Sequence, residues 1–416
     1  MVKNIIYDIK NCRICSSLVK KVLELKKSPL GDAFCKDKQL SKKHELLNVD
    51  LCFCHKCSQI QLSQIIEPNE IYTENYLYKT SVSIGLKEHF IKSTKEIIEE
   101  ADIDKGFVVE IGSNEGFMLE AFKNKKFEVL GIDPATPAAN LANSRGINTI
   151  NNFFTYELAK QIIQEYKSAD IILANNVFAN IPDINSIMQA VNELLNDNGV
   201  FVVETSYALS VLQNNLIDTI YHEHISYLTL TSINNLSAMH GLRVFKSSIN
   251  NSKGGSLRVY ICKENAKFKN TSDLENILNN EKKLFLDKSL FINFTNRLNK
   301  FKLVVQNLAT KIKLEEKLCV YGASMGCIMM CEQFELGEKI DYLIDDNELK
   351  IGKFSPSRAI EVKSSEFLLQ SGVKNVINFA WRFCEPIKQK NKKFLENGGT
   401  IYNINLKDLR IDKICL

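Results

Sequence analysis

The run Val108-Val-Glu-Ile-Gly-Ser-Asn-Glu-Gly-Phe117 constrains the fold of this chain more than any other stretch. An apolar strand reaches an acidic residue, enters a Gly-x-x-x-Gly turn and continues into the helical run Phe117 to Phe122. Strand, tight turn and helix in that order open an α/β nucleotide-binding sheet. Gly112 and Gly116 let the backbone approach a ligand where a Cβ would collide. The spacing is neither G-x-G-x-x-G nor a P-loop, so a pyrophosphate is not the expected hinge. Glu110 at the strand end suits a ligand with a cationic amino-acid end. S-adenosylmethionine is the expected ligand, held by Glu110, Gly112, Ser113, Asn114 and Gly116.

The fold class expected is therefore α/β, with a Rossmann-like domain over residues 84–263 in which strands and helices alternate. The second strand, Phe127 to Ile132, ends at Asp133. That carboxylate either accepts the hydroxyls of a ribose or caps the turn before Pro134. Asn152 and Phe153 follow a short third strand and offer an amide and a ring to an adenine. The fourth strand, Ile171 to Asn176, ends in polar residues at the carboxyl edge, where ligands sit in such sheets, and Asn176 joins the donor set. Gly199 to Glu204 is a fifth strand.

At 416 residues the chain exceeds one ordinary core, so two or three domains are expected. Six of its twelve cysteines fall within the first 57 residues. Cys12-Arg-Ile-Cys15 and Cys54-His-Lys-Cys57 are two C-x-x-C knuckles whose four thiolates close a tetrahedral, structural Zn2+ site. Cys35, Cys52 and His55 are spare ligands. The 53 basic and 49 acidic side chains nearly balance, which argues against nucleic-acid or membrane-surface binding. No signal peptide is visible, and no apolar stretch approaches the ~18 residues that span a bilayer. A cytoplasmic location follows as the expectation, with cysteines reduced or metal-bound.

Residues 1–83 are expected to form the zinc-binding domain together with a tyrosine-rich segment from Tyr72 to Ser83. Its phenols, Tyr76 and Tyr78 among them, either pack the small domain or line a polar cleft. Tyr221-His-Glu-His224 concentrates titratable groups, and a catalytic role is expected there, imidazole being the group best able to exchange protons near neutrality. Lys253-Gly-Gly-Ser-Leu-Arg258 precedes a strand and presents Ser256 and Arg258, either to a polar ligand or as an ordinary strand entry. From Phe291 to Ile312, apolar residues at 3-4 spacing predict a long packing helix or two in series. Residues 264–416 then repeat the strand–turn–helix plan. Leu318-Cys-Val-Tyr-Gly-Ala-Ser-Met-Gly326 parallels Val108 to Gly116, and Asp345 stands at the end of the next strand. This second Rossmann-like domain either holds a second nucleotide or only packs.

The order of these segments resembles one family over nearly the whole chain. It is similar to the S-adenosylmethionine-dependent sugar-nucleotide C-methyltransferases, in particular those acting at C-3 of 4-keto-deoxysugars. The resemblance rests on both C-x-x-C knuckles, the Tyr72–Ser83 run, Glu110 to Gly116 and Asn175 to Asp183. Tyr221 to His224, Gly254 to Arg258 and Tyr321-Gly-Ala-Ser complete it. It implies a zinc-binding N-terminal domain, a class I methyltransferase domain and a C-terminal Rossmann-like domain. It also implies a nucleotide-diphosphate sugar as substrate. Asn180 and Lys253 stand where members commonly carry His, and Ser324-Met-Gly-Cys replaces a small-Lys-Gly pattern.

Carbon methylation needs a carbanion-like nucleophile, which a carbon next to a ketone provides once a base removes its proton. The roles expected are His224 as base, Glu223 orienting it, and Tyr76 or Tyr221 donating to the enolate oxygen. Tyr78, Asn180, His222, Ser256 and Arg258 would contact the sugar nucleotide. Methylation at oxygen or nitrogen is the alternative, since it needs a milder base and no ketone. The sequence leaves the oligomeric state open, and a monomer is compatible with it.

Overall fold

The computed structural model describes residues 6–71, 80, 85–287 and 289–415. Tyr72, Tyr76 and Tyr78 lie outside the described residues. The chain divides into two compact units, each discontinuous in sequence. The first comprises residues 1–20, 52–210 and 223–287, and the second residues 21–51, 211–222 and 288–416.

The first unit is built on a seven-stranded sheet. Its strands are Phe107–Ile111 (β1), Glu128–Ile132 (β2), Thr149–Ile150 (β3), Ala169–Asn175 (β4), Leu195–Ser206 (β5), Leu242–Asn250 (β6) and Ser256–Lys263 (β7). They lie in the order β3-β2-β1-β4-β5-β7-β6. Strands β1 to β5 pair in parallel, while β7 runs antiparallel between β5 and β6. All five residues of β1 are buried, as expected of a central parallel strand covered on both faces. Helices Leu86–Ala101 (α1), Phe117–Lys123 (α2), Thr136–Ser144 (α3), Tyr156–Glu165 (α4) and Ile184–Leu194 (α5) follow the strand plan. Leu230–Met239 (α6) and Ser272–Leu286 (α7) complete it. The core on one face joins Phe90 and Ile97 of α1 to Leu119 and Phe122 of α2, Val108, Ile171 and Val202.

The N-terminal part of this unit contributes short strands. Ile6–Asp8 pairs antiparallel with Gln64–Ile66, and Ile60–Leu62 pairs antiparallel with Ser226–Tyr227. Both knuckles make the same turn. The amides of Ser16 and Ser58 each donate to the carbonyl of the first cysteine at 2.9 Å, with φ of 57° and 61°.

The second unit carries the long helix Ser289–Glu315 (α8), which buries Phe294, Leu298, Phe301, Val305, Ala309 and Ile312. The apolar stripe predicted from Phe291 to Ile312 thus lies on the second of two helices in series. Its sheet comprises Cys319–Tyr321 (β8), Tyr342–Ile344 (β9), Glu361–Lys363 (β10), Asn375–Asn378 (β11), Thr400–Asn405 (β12) and Arg410–Ile414 (β13). The order β10-β9-β8-β11-β12-β13, with only β13 antiparallel, is that of a dinucleotide-type Rossmann sheet. Its glycine turn leads into Met325–Gln333 (α9).

The two turns share one internal geometry. In the first unit Asp133 accepts the amides of Asn114 at 2.8 Å and Ala135 at 2.9 Å. In the second, Asp345 accepts those of Ala323 at 2.8 Å and Asn347 at 2.9 Å. Their surroundings differ. A Cβ on Gly326 would meet the carbonyl oxygen of Asp218 at 2.5 Å, and one on Gly31 would meet Met325. The Asp218 carboxylate takes the Trp381 indole N–H at 2.9 Å and the Arg382 guanidinium, both just after β11. The carboxyl edge of the second sheet is therefore filled by the chain itself at Asp218. Among the described residues no helix is long and apolar enough to cross a membrane.

Candidate active site

At the carboxyl edge of β1, β2 and β4 the first unit opens into a cavity of about 900 Å³. Its floor is the turn after β1. Gly112, at φ 67°, has Val177 so close that a Cβ would come within 2.7 Å of it, and Gly116, at φ 75°, faces Ile147 in the same way. Ser113 and Asn114 line the cavity beside Gly112. The Asn114 side chain accepts both the amide and the hydroxyl of Thr80, at 3.1 and 3.0 Å, so residue 80 is pinned over the turn.

Glu67, Glu110, Asp133, Glu157 and Asp183 line this space, and Glu110 and Asp133 stand beside the glycine turn. Glu110 takes the Asn175 amide on one oxygen at 3.0 Å, while its other oxygen is buried with no hydrogen-bond partner. Burial, opposed by the Asn175 amide and reinforced by the nearby Asp133, pushes the Glu110 carboxyl up to about 8. Burial also raises Asp133, against the two backbone N–H bonds it accepts. Ser113 Oγ and Asn180 Oδ1 are likewise buried in the cavity wall with no partner. Buried polar groups are normally satisfied, so three orphaned polar atoms around one cavity mark where a polar ligand belongs. The half-exposed ring of Phe153 and the side chain of Asn152 line the far end, beside Asp133. An acceptor for an ammonium, a carboxylate near a ribose position and an aromatic face beyond it fit S-adenosylmethionine.

Asn176 lines the cavity in the left-handed conformation, φ 55°, and its amide donates to the Glu204 carbonyl at 2.7 Å. Asn180, Ile181, Pro182 and Asp183 form the adjoining wall. Lys253, also left-handed at φ 49°, is the one cation among the described lining residues. Tyr7, Ile9, Ile65 and Pro68 bring the N-terminal segment into the same wall. Sequence reasoning missed this contribution, which depends on strand Ile6–Asp8 pairing across more than fifty residues.

The structure places other expected site residues elsewhere. Arg258 is a correction: its guanidinium is buried in an ion-pair network. Nε donates to Glu204 at 2.7 Å and Nη1 to Glu96 at 2.5 Å, with Ser93 Oγ taking a third bond. Burial alone would raise Glu204, but His89 at 2.5 Å and Arg258 outweigh it and hold the carboxyl down. Ser256 is fully buried and donates to the Ser252 carbonyl at 3.0 Å. These side chains hold β7 to β5 and α1, and they are not among the described lining residues of the cavity.

The Tyr-His-Glu-His run is divided between the two compact units, after His222. His222 is buried with Nε2 lacking a partner, and burial lowers its pKa to about 4 against a hydrogen bond with the Leu47 backbone, so it is neutral at physiological pH. Glu223 is buried, and Tyr221 and His224 are half-buried. None of the four is among the described lining residues of the cavity. His224 leads into Ile225, whose carbonyl accepts the Leu62 amide at 3.0 Å, and into strand Ser226–Tyr227.

The four knuckle cysteines converge. Their sulfurs lie within 4.8 Å of one another, with Cys12 to Cys57 at 3.4 Å and Cys15 to Cys54 at 3.5 Å. Zn–S bonds of about 2.3 Å in a tetrahedron place sulfurs about 3.8 Å apart, so the site fits Zn2+. The contact between Cys12 and Cys57 lowers the Cys12 thiol and raises that of Cys57, so the pair shares a proton that a bound cation would displace. Cys35, Cys52 and His55 stand outside this cluster. Four sulfur ligands leave no open position, so the metal would be structural.

Comparison with known proteins gives three family matches in chain order. Residues 12–72 match a zinc binding domain, residues 87–247 a "Methyltransferase domain", and residues 251–404 a "C-methyltransferase C-terminal domain". The chain is 30% identical over 402 residues to C-methyltransferase NovU of Streptomyces niveus, covering 95% of this chain and 96% of that protein. Solved structures that match include an S-adenosylmethionine-dependent methyltransferase from Clostridium acetobutylicum, at 12% identity and a TM-score of 0.35, over 42% of this chain and 92% of that one. Magnesium protoporphyrin IX methyltransferase from Synechocystis matches at 10% identity and a TM-score of 0.33, over 44% of this chain and 81% of that one. The three matches in order and the near full-length relative show that the chain belongs to the S-adenosylmethionine-dependent C-methyltransferases that pair a zinc-binding N-terminal domain with a class I methyltransferase domain.

Proposed function

We propose that this methyltransferase alkylates carbon, at C-3 of a nucleotide-linked 4-keto-deoxysugar, through an enolate. The observation that carries the reading is the cavity itself. At about 900 Å³ it stands at the upper end of the ~300–1,000 Å³ of small-molecule sites, with room for a second reactant beside the donor. Asn180 and Lys253, which also line the cavity, support the same reading, because an amide and a cation suit an oxyanion or a diphosphate. The relation to a protein named C-methyltransferase NovU supports transfer to carbon.

When bound, the donor supplies an electrophilic methyl on a sulfonium. Glu110, Asp133 and the turn at Gly112 orient it, with Asn152 and Phe153 against its adenine. The family resemblance assigns proton removal from the carbon next to the ketone to His224 and orientation of its imidazole to Glu223, although neither is among the described lining residues of the cavity. Tyr76 or Tyr221 donates to the enolate oxygen. The carbanion's electron pair forms the new C–CH3 bond as the S–CH3 pair returns to sulfur. Each proton-handling group of this kind typically contributes a factor of about 10²–10⁴ in rate. Cys12, Cys15, Cys54 and Cys57 would hold a structural Zn2+ that steadies the N-terminal wall.

The experiment is incubation with nucleotide-linked 4-keto sugars and donor in deuterated water. A methyl resonance coupled to carbon is expected, and a methoxy or N-methyl resonance would replace this reading with transfer to oxygen or nitrogen. His224→Ala should lose exchange of the proton next to the ketone. Exchange at the wild-type rate in that variant would remove His224 as the base.

A further inference from the structure

The residue between the first two cysteines does more than fill a knuckle. Arg13 leaves part of its stem in solvent, but its guanidinium is enclosed by backbone carbonyls and a hydroxyl, and a guanidinium stays charged in proteins. Nε donates to the Pro182 carbonyl at 3.2 Å, Nη2 donates to the carbonyls of Ile181 and Pro182, and Nη1 to Ser226 Oγ. Ile181 and Pro182 line the donor cavity. They are the extended link between the turn Phe178–Asn180 and Asp183, which caps α5 by accepting the Ser186 amide at 3.0 Å. Without Arg13 the Ile181 and Pro182 carbonyls lose these charge-assisted bonds.

The knuckle backbone is tied to the same region in return. Asn185 on α5 donates to the carbonyls of Arg13 at 2.7 Å and Ile14 at 3.2 Å, and pairs through Oδ1 with His240 Nε2 at 2.8 Å. The Arg13 amide donates to Gln61 at 3.0 Å. The turn that presents two cysteine sulfurs is thus hydrogen-bonded in both directions to one wall of the cavity. Ser226, two residues past His224, hangs on the same guanidinium.

We propose that Arg13 is a positioning residue: it transmits the geometry of the four-cysteine site to the Ile181–Pro182 wall and thereby sets affinity for the methyl donor. Charge-assisted, forked hydrogen bonds give a guanidinium orientational control that a lysine lacks. The inference rests on reading the cavity as the donor site, so the test begins by measuring S-adenosylhomocysteine binding to wild-type protein by calorimetry. No binding there would overturn the site reading and the inference with it. With binding established, the holoprotein variants Arg13→Ala, Arg13→Lys and Lys56→Ala are compared, zinc content being measured for each by elemental analysis. Lys56 is an exposed residue on the other knuckle.

Arg13→Ala is expected to keep its zinc and bind S-adenosylhomocysteine at least tenfold more weakly. Arg13→Lys is expected to fall between it and wild type, and Lys56→Ala to match wild type. Affinity within twofold of wild type in zinc-loaded Arg13→Ala would overturn the proposal. So would an equal loss in Lys56→Ala, which would mark general loosening of the knuckles. Should Arg13→Ala fail to fold, Arg13→Lys decides by the same twofold criterion.

Discussion

Lowering the pH from 8 to 6 should weaken donor binding through one buried carboxyl. In the ligand-free protein Glu110 sits at about 8, chiefly through burial, and holds a proton at pH 7. Its partnerless oxygen is the acceptor proposed for the ligand's ammonium, and a cation there favours the carboxylate. Binding at pH 7 must then release a proton. By linkage the dissociation constant rises up to tenfold per unit below pH 8, about 50-fold between pH 8 and pH 6, or roughly 2.3 kcal/mol.

Stability runs with the opposite sign. Folding raises this pKa from 4.5 to about 8, so the folded state binds more protons than the unfolded state between those values. Stability of the ligand-free protein therefore falls as pH rises through that window, by at most on the order of 5 kcal/mol. Glu110→Gln should melt higher than wild type at pH 8, differ little at pH 5, and bind S-adenosylhomocysteine weakly and without pH dependence. Calorimetry in two buffers of different ionisation enthalpy counts the proton. A wild-type affinity flat from pH 6 to 8, with no proton released, would refute the reasoning.

Three further outcomes are expected. Gly112→Ala must hold φ 67° with its Cβ 2.7 Å from Val177, and should lose at least tenfold in donor affinity by calorimetry while its circular dichroism is unchanged. Gly326→Ala drives a Cβ to 2.5 Å from the Asp218 carbonyl, so denaturant melts should show a loss of about 1–3 kcal/mol with donor affinity unaltered. Glu281 is fully buried and accepts four bonds, from the amides of Leu230 and Thr231 at 2.7 Å, the Thr231 hydroxyl at 2.5 Å and the Tyr207 hydroxyl at 2.9 Å. Glu281→Ala should cost about 3–5 kcal/mol in thermal or denaturant unfolding, because those donors are left unpaired.

Legibility followed distance along the chain. The turn at Gly112, the carboxyls at Glu110 and Asp133 and both knuckles were readable, since each is a demand of a few consecutive residues on their own backbone. Arg258 misled because a cation after Gly-Gly looks ligand-facing. Its partner Glu204 is its register neighbour across β5 and β7, 54 residues away, and only that pairing shows the charge is already neutralised. Glu281 gave no signal at all: one acid on an amphipathic helix is ordinary until α6 is seen to begin against it. Arg13 had a weak signal, a long cation enclosed by two metal ligands, but its carbonyl acceptors lie 168 and 169 residues on.

By itself the sequence determined two α/β sheets, two glycine turns and a four-sulfur cluster, because turn conformation and ligand spacing are short-range properties. It could not say which turn serves a ligand. Around Gly112 and Gly116 the edge of the sheet stays open onto a cavity, whose lining residues include buried polar atoms without partners. Around Gly322 and Gly326 the same backbone geometry is closed by Asp218, Trp381 and Arg382. That difference was decided by tertiary structure alone, since space beside a turn depends on which distant segment packs there.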